Sequence, residues 1–188
     1  MFEEHLKFYQ DFPTPGIKFV DIIPYLHNRE VFEGVTAEVA RHITAPSVAC
    51  PEARAFLFAS PLLIADNCDV DNIILFRKRG KLPYTGDDLK TIEIMKEYGS
   101  DKLIYRNSDI AAGRAEDGII HVSIVDDVLA TGGTAEGVAK ALEATKLTID
   151  GKEYGVKVNE FIFIVELDGL NGRDRLAQIA PVYSIARI

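Results

Sequence analysis

The 188-residue sequence has no tryptophan and only two cysteines, Cys50 and Cys68. Their spacing matches no metal-binding motif, so we expect two reduced thiols in a cytoplasmic protein. No apolar run reaches the roughly 18 residues that a membrane-spanning helix needs, and the N-terminus lacks the pattern of a signal peptide. Basic residues are in the minority, with 21 Lys and Arg against 29 Asp and Glu and a net charge of −8. We therefore expect no nucleic-acid partner and no membrane partner.

Two common nucleotide-binding motifs are also missing, since the sequence has neither G-x-x-x-x-G-K-[ST] nor G-x-G-x-x-G. In their place stand residues 122–134, VSIVDDVLATGGT, where an apolar run ends in Asp126 and Asp127 and continues into a small-residue loop. A strand, an acid pair, a Gly/Thr loop and a helix N-terminus in this order suit a phosphorylated sugar. Loop N–H groups and the helix dipole favour a phosphate, and the carboxylates accept hydrogen bonds from ribose hydroxyls.

Apolar and polar patterning predicts one α/β domain over residues 1–188 with a mostly parallel sheet of about five strands. The predicted helices are 2–10, 29–44, 61–67, 135–147 and 172–178, and the predicted strands are 48–50, 56–58, 73–76, 119–125, 160–165 and 182–184. Residues 85–94 are predicted to be a loop or flap, with a helix as the alternative, and residues 148–156 a hairpin. Residues 11–24 are rich in Pro and Gly and predict neither sheet nor long helix. They belong to a small hood (about 1–28) over the core (about 29–188).

Residues 122–134 resemble the motif with which type I phosphoribosyltransferases bind phosphoribosyl pyrophosphate (PRPP). Further segments narrow the resemblance to the adenine phosphoribosyltransferases: 11–24 (DFPTPGIKFVDIIP), 52–58 (EARAFLF), 77–83 (RKRGKLP), 97–99 (EYG) and 166–176 (ELDGLNGRDRL). The resemblance covers nearly the whole chain, in order. It implies transfer of the phosphoribosyl group from PRPP to adenine, which yields AMP and pyrophosphate. It also implies a homodimer, and Mg²⁺ held mainly by PRPP, pyrophosphate and water rather than directly by protein ligands.

The same resemblance assigns the PRPP-binding residues. Asp126 and Asp127 are expected on the ribose hydroxyls. The 5′-phosphate is expected on Ala130, Thr131, Gly132, Gly133 and Thr134. Arg54, a cation between apolar neighbours, is the first candidate for binding pyrophosphate and for catalysis. Lys78 and Lys81 are further candidates for the same anion, donated within the chain or across a dimer interface.

For the purine, the resemblance assigns Glu97 as the general acid that protonates or orients N7 of adenine. Without the resemblance, an exposed helix position is the favoured interpretation of Glu97. Phe19 is expected to stack on the base, and Val128 to lie against it. The backbone of Lys18 and Val20 is expected to read the base edge. The resemblance further implies a cis peptide between Glu52 and Ala53 when ligand is bound.

Several positions depart from the family pattern. Cys50 and Ala55 stand where the family usually has glycine, and Ile94 stands where it commonly has tyrosine. Residues 83–97 are about three residues longer than usual. These departures leave two alternatives open: a transferase for another 6-substituted purine, and a protein that senses PRPP or a nucleotide with little turnover.

Overall fold

The computed structural model describes residues 2–95 and 100–188. The strands are β1 (Lys7–Gln10), β2 (Lys18–Asp21), β3 (Ser47–Pro51), β4 (Asn72–Lys78), β5 (Leu89–Met95), β6 (Ser100–Arg106), β7 (Ala115–Glu116), β8 (Ile119–Leu129), β9 (Lys146–Ile149), β10 (Lys152–Glu166) and β11 (Val182–Arg187). The α-helices are α1 (Arg29–His42), α2 (Ala55–Ala59), α3 (Asn107–Ala111), α4 (Gly133–Ala144) and α5 (Gly172–Leu176). Short 3₁₀ helices cover Phe2–His5, Ile23–His27, Ser60–Ile64 and Gly86–Asp88. No helix in the described ranges is both long and apolar enough to cross a membrane.

One mixed sheet has the strand order β11-β10-β8-β3-β4-β6-β5, and β1 pairs with β2 in a separate two-stranded sheet. The first five of these strands run parallel, while β5 and β6 form an antiparallel hairpin that adds to the β4 edge. Strand β7 pairs with β8, and β9 pairs with β10. The predicted α/β fold with a parallel sheet of five strands is therefore confirmed.

Strand β8 lies at the centre of the molecule, and its apolar sequence follows from burial on both faces. Ile120, Val122 and Ile124 pack in one core cluster together with α4, and Val125 packs in the other together with α1 and α2. A polar network interrupts this core: the buried Ser123 hydroxyl donates to the Glu160 carboxylate, which also accepts from the Thr44 N–H at 3.0 Å. The parallel strands β3, β8 and β10 end at one edge, where open α/β sheets bind their ligands.

Several predicted elements are confirmed with small shifts in their bounds. Helix α1 begins after Asn28, whose side chain accepts from the N–H groups of Glu30 (3.0 Å) and Val31 (3.3 Å). The predicted hairpin connects β9 to β10 through Asp150 and Gly151, which have φ angles of 52° and 76°. Such left-handed angles at both central residues suit the twist of a two-residue hairpin.

The other predictions of secondary structure are wrong in instructive ways. Residues 2–10 form a 3₁₀ turn followed by β1, and β2 lies within the segment predicted to avoid sheet. Residues 56–58 belong to helix α2, and residues 61–67 contain only a 3₁₀ turn, because short apolar runs do not separate helix from strand. The predicted flap contains strand β5, in which Ile94 is buried against the core while Thr91 and Glu93 are exposed.

Candidate active site

The two acidic residues lie near the C-terminal end of strand β8, just before it ends at Leu129. Asp126 is only 8% exposed, and the Asp127 N–H donates to its Oδ1 at 2.8 Å. Burial, and then the neighbouring charge of Asp127, raise the pKa of Asp126 well above its ordinary range. Asp127 forms an ion pair with the Arg54 guanidinium. The pair therefore consists of one carboxyl that resists ionisation and one carboxylate matched by a cation.

The loop after β8 leads directly into helix α4. Its last residue, Gly132, has a φ of 77° and precedes the first helical residue, Gly133. Because Gly132 has no side chain, no capping group competes for the N–H groups of the first turn, which remain directed at the space in front of the helix. That space is a cavity of about 990 Å³. Its lining includes Asp126, Val128 and all five residues of the 130–134 segment.

Arg54 connects three segments that are far apart in the sequence. It precedes α2 in the turn that follows β3, and its guanidinium ion-pairs with Asp127 of β8. The guanidinium carbon also lies 5.2 Å from the centre of the Phe19 ring in β2, a cation–π distance. Phe12 packs edge-on against Phe19, with ring centres 5.0 Å apart. The candidate residues for pyrophosphate, ribose and base are thus brought together at one cation.

The segment 77–81 is held to the same turn by Glu52, which sequence reasoning did not single out. The Glu52 carboxylate accepts from Arg77 Nε and from the Lys78 N–H, each at 2.9 Å, and lies 3.3 Å from Lys81 Nζ. Its side chain is 7% exposed. Burial acts to raise the pKa of Glu52, but the hydrogen bonds from these three residues outweigh it and lower that pKa to about 2. Lys81 is therefore tied to Glu52, while Lys78 contributes its backbone N–H.

A second set of residues missed from the sequence follows β10. Leu167, Leu170, Asn171 and Arg175 line the same cavity as the 130–134 segment. Gly172 begins α5 so close to this segment that a Cβ there would lie 2.2 Å from the Ala130 carbonyl oxygen. The family-like sequence of residues 166–176 was visible, but no pattern in it indicated contact with a loop about 40 residues earlier.

The candidate residues for the base are only partly brought together. Val128 and Ile17 line the cavity, and Phe19 lies against Arg54. Val20 is 4% exposed, so its side chain faces the core and only its backbone can face a ligand. The peptide between Glu52 and Ala53 is cis. Glu97 lies outside the described residues.

Comparison with known proteins places this geometry in a family. No protein-family model matches the chain. An adenine phosphoribosyltransferase of Methanococcus maripaludis is 36% identical over 174 residues, which cover 91% of this chain and 89% of that protein. The chain belongs to the adenine phosphoribosyltransferase family. The crystal structure of the enzyme from Thermoanaerobacter pseudethanolicus has a TM-score of 0.78 at 32% identity and full coverage of both chains. That of the Saccharomyces cerevisiae enzyme, in complex with adenine and an imino-altritol bisphosphate, has a TM-score of 0.75 at 29% identity, covering 98% of this chain and 96% of that one.

As a member of the adenine phosphoribosyltransferases, the protein transfers the 5-phosphoribosyl group of PRPP to adenine and releases AMP and pyrophosphate. Two residues that depart from the family pattern lie close to Arg54 in the sequence. Cys50 and Ala55 are both buried, at 0% and 1% exposure, in the core beneath the turn. Neither residue is among those that line the cavity.

The Glu52 cluster predicts a defined pH dependence of stability in this adenine phosphoribosyltransferase. The folded-state pKa of about 2 lies below the ordinary value of 4.5, so ionised Glu52 stabilises the fold above pH 4.5. That stabilisation is lost as the pH falls toward 2. We expect Glu52→Gln to lower the free energy of unfolding at pH 7 by about 1.5–3 kcal/mol, the usual range for hydrogen bonds to a charged group.

Urea unfolding of wild type and Glu52→Gln between pH 7 and pH 3 tests this prediction. The difference between their free energies of unfolding is expected to shrink below about pH 4.5. Glu116→Gln, at an exposed carboxylate on β7, is the matched control and should show no difference. A gap between wild type and Glu52→Gln that is absent at pH 7, or that does not change with pH, would contradict the assignment.

Proposed function

We propose that PRPP binds in the cavity at the end of β8 with its 5′-phosphate on residues 130–134 and its ribose hydroxyls on Asp126 and Asp127. The observation that carries this proposal is the double contact of Arg54 with Asp127 and Phe19. It brings candidate groups for ribose, pyrophosphate and base together next to Asp126, which lines the cavity. The phosphate is then held by loop N–H groups, the Thr131 and Thr134 hydroxyls and the dipole of α4.

Arg54 supplies the main electrostatic contribution to catalysis. As adenine attacks C1 and the bond to pyrophosphate lengthens, negative charge grows on the leaving group and positive charge on the ribose. A guanidinium already held beside the ribose site needs little reorganisation to stabilise the leaving pyrophosphate. When PRPP binds, Asp127 exchanges Arg54 for the ribose hydroxyls, and its carboxylate then lies near the positive charge that develops on the ribose. Lys78 and Lys81 add to the field on the pyrophosphate, from the same chain or from its partner in a homodimer.

We propose that Mg²⁺ is bound mainly through the substrate. Within residues 2–95 and 100–188, no group of three His, Cys, Asp or Glu side chains could hold a metal ion. Mg²⁺ needs no such group where one or two carboxylates, phosphate oxygens and waters complete its octahedron. The phosphate oxygens of PRPP and waters would supply these ligands, and Asp126 and Asp127 would remain on the ribose hydroxyls rather than on the ion. When bound, the ion neutralises charge on the pyrophosphate of PRPP.

The purine is proposed to lie between Val128 and the hood, residues 1–28. Phe19 stacks on the base, and the backbone of Lys18 and Val20 reads its edge. In an antiparallel pair, alternate residues direct their N–H and C=O groups away from the neighbouring strand, and Lys18 and Val20 share one edge of β2. Glu97 is the proposed proton-transfer group at N7: its carboxylate accepts the N7 proton of adenine as N9 attacks C1, and it acts as the general acid at N7 in the reverse direction.

The protein is proposed to be a homodimer and to be located in the cytoplasm. Leu57 of α2 and Leu63 and Ile64 of the following 3₁₀ helix are exposed at 41%, 47% and 86%. These side chains supply an apolar face for a homodimer. Cys50 and Cys68 are free thiols, as expected of a cytoplasmic protein.

The reaction is tested by incubating the protein with PRPP, Mg²⁺ and one purine at a time while nucleotide and pyrophosphate are measured. We expect both products with adenine, at a higher kcat/KM than with hypoxanthine, guanine or other 6-substituted purines. A higher value with another purine would establish the alternative transferase. PRPP binding without any turnover would establish the sensor.

The acid pair is tested by the double variant Asp126→Asn/Asp127→Asn. The charged hydrogen bonds of Asp127 to the ribose hydroxyls become neutral ones, and each charged bond contributes about 1.5–3 kcal/mol, while Asp126→Asn replaces a carboxyl that resists ionisation. We therefore expect PRPP affinity, measured by calorimetry, to fall at least about tenfold. The fold should remain intact by circular dichroism. Asp117→Asn, in the β7–β8 turn at the opposite edge, should bind like wild type, and an unchanged affinity in the double variant would refute the assignment.

The role of Glu97 is tested by Glu97→Gln, which keeps a hydrogen bond but cannot transfer a proton. We expect kcat to fall by about 10²–10⁴, the usual contribution of general acid catalysis, while PRPP affinity is retained. Steady-state kinetics should show no comparable loss for Glu93→Gln, a matched change on strand β5. A raised KM for adenine with kcat retained would instead assign Glu97 to shaping the base pocket.

A further inference from the structure

We propose that Arg175 is an additional phosphate-binding residue, which contacts the 5′-phosphate of PRPP and AMP and holds the 130–134 segment in position. This inference rests on the proposed location of PRPP. Arg175 lines the same cavity as residues 130–134, and its guanidinium donates a hydrogen bond to the Thr131 carbonyl at 3.1 Å. A guanidinium carries five N–H donors in a planar fork, so this bond leaves most of its donors for an anion.

The position of Arg175 is fixed by backbone contact between α5 and the segment that it would serve. A Cβ on Gly172 would lie 2.2 Å from the Ala130 carbonyl oxygen, and a Cβ on Gly132 would lie 3.1 Å from the Gly172 carbonyl oxygen. Two glycines thus allow the backbone of the 130–134 segment to contact the backbone at the start of α5. Helix α5 is in turn held to β10 by Arg173, whose Nε donates to the buried Glu166 carboxylate at 2.9 Å. A cation mounted this way is already oriented before the phosphate binds.

The charge around α4 gives a reason for a cation here. Glu136 lies in the first turn of the helix, where its carboxylate would repel a phosphate at the same helix end. Arg175 Nε lies 3.4 Å from Glu136 Oε2, and Lys140 Nζ lies 2.7 Å from Glu136 Oε1. Both cations offset the Glu136 charge, but of the two only Arg175 is among the residues that line the cavity and also contacts the 130–134 segment.

This difference supplies the matched pair for the experiment. In Arg175→Gln we expect the Kd for AMP and the KM for PRPP to rise at least about tenfold, as befits the loss of a charged hydrogen bond. The affinity for adenosine, which lacks the 5′-phosphate, and for pyrophosphate should stay within about twofold. Lys140→Gln removes the other partner of Glu136. It should leave the KM for PRPP and the affinities for AMP, adenosine and pyrophosphate within about twofold of wild type. Arg175→Lys keeps the charge without the fork and should recover part of the affinity for AMP.

Calorimetry with AMP, adenosine and pyrophosphate, together with initial rates, separates the outcomes. Selective loss of AMP affinity in Arg175→Gln, with a melting temperature like that of wild type, supports the proposal. Equal losses for AMP and adenosine, equal losses in Arg175→Gln and Lys140→Gln, or an Arg175→Gln protein indistinguishable from wild type would each overturn it. Wild-type protein that binds neither PRPP nor AMP would instead overturn the proposed function itself.

Discussion

The parallel register of β3, β8 and β10 is the constraint on which the site depends. Ala49 of β3 pairs with Ile124 of β8, so Pro51 at the end of β3 is level with Asp126. On the other side, Glu166 at the end of β10 pairs with Leu129 at the end of β8. Because a shift of one residue would direct every side chain of a strand to the opposite face, the buried β8 strand fixes this alignment. Three loops from distant parts of the sequence consequently leave the sheet at one edge.

Charge pairing then organises these loops. Glu52 joins the turn after β3 to Arg77 at the end of β4, Arg54 joins the same turn to Asp127, and Arg173 joins α5 to Glu166. Each contact matches a carboxylate of low exposure with a guanidinium, as burial of charge requires. Asp126 is different, since burial and the charge of Asp127 raise its pKa. In the proposed complex, the pyrophosphate of PRPP takes over Arg54 and leaves the acid pair for the ribose hydroxyls.

Sequence reasoning succeeded where the relevant residues are contiguous. Residues 122–134 contain the strand, the acid pair, the loop and the helix start within one stretch, and local geometry orders them. It failed where contacts join distant segments: neither Glu52 with Lys81 nor Arg175 with Thr131 leaves a periodic signal. Strand β5 was missed for a related reason, because its alternation is interrupted by Lys90 and its partner β6 lies beyond it in the chain. Glu97 was proposed as the general acid from its motif alone, so kinetic measurements rather than geometry test this role.

A crystal structure of the protein with bound AMP tests the central assignment most directly. The phosphate should lie on the N–H groups of residues 130–134, with the ribose hydroxyls on Asp126 and Asp127 and the base beside Val128. The assignment would be contradicted by AMP bound at another place, such as the cavity of about 490 Å³ at the opposite edge of the sheet, which Thr44, Arg114 and His121 line.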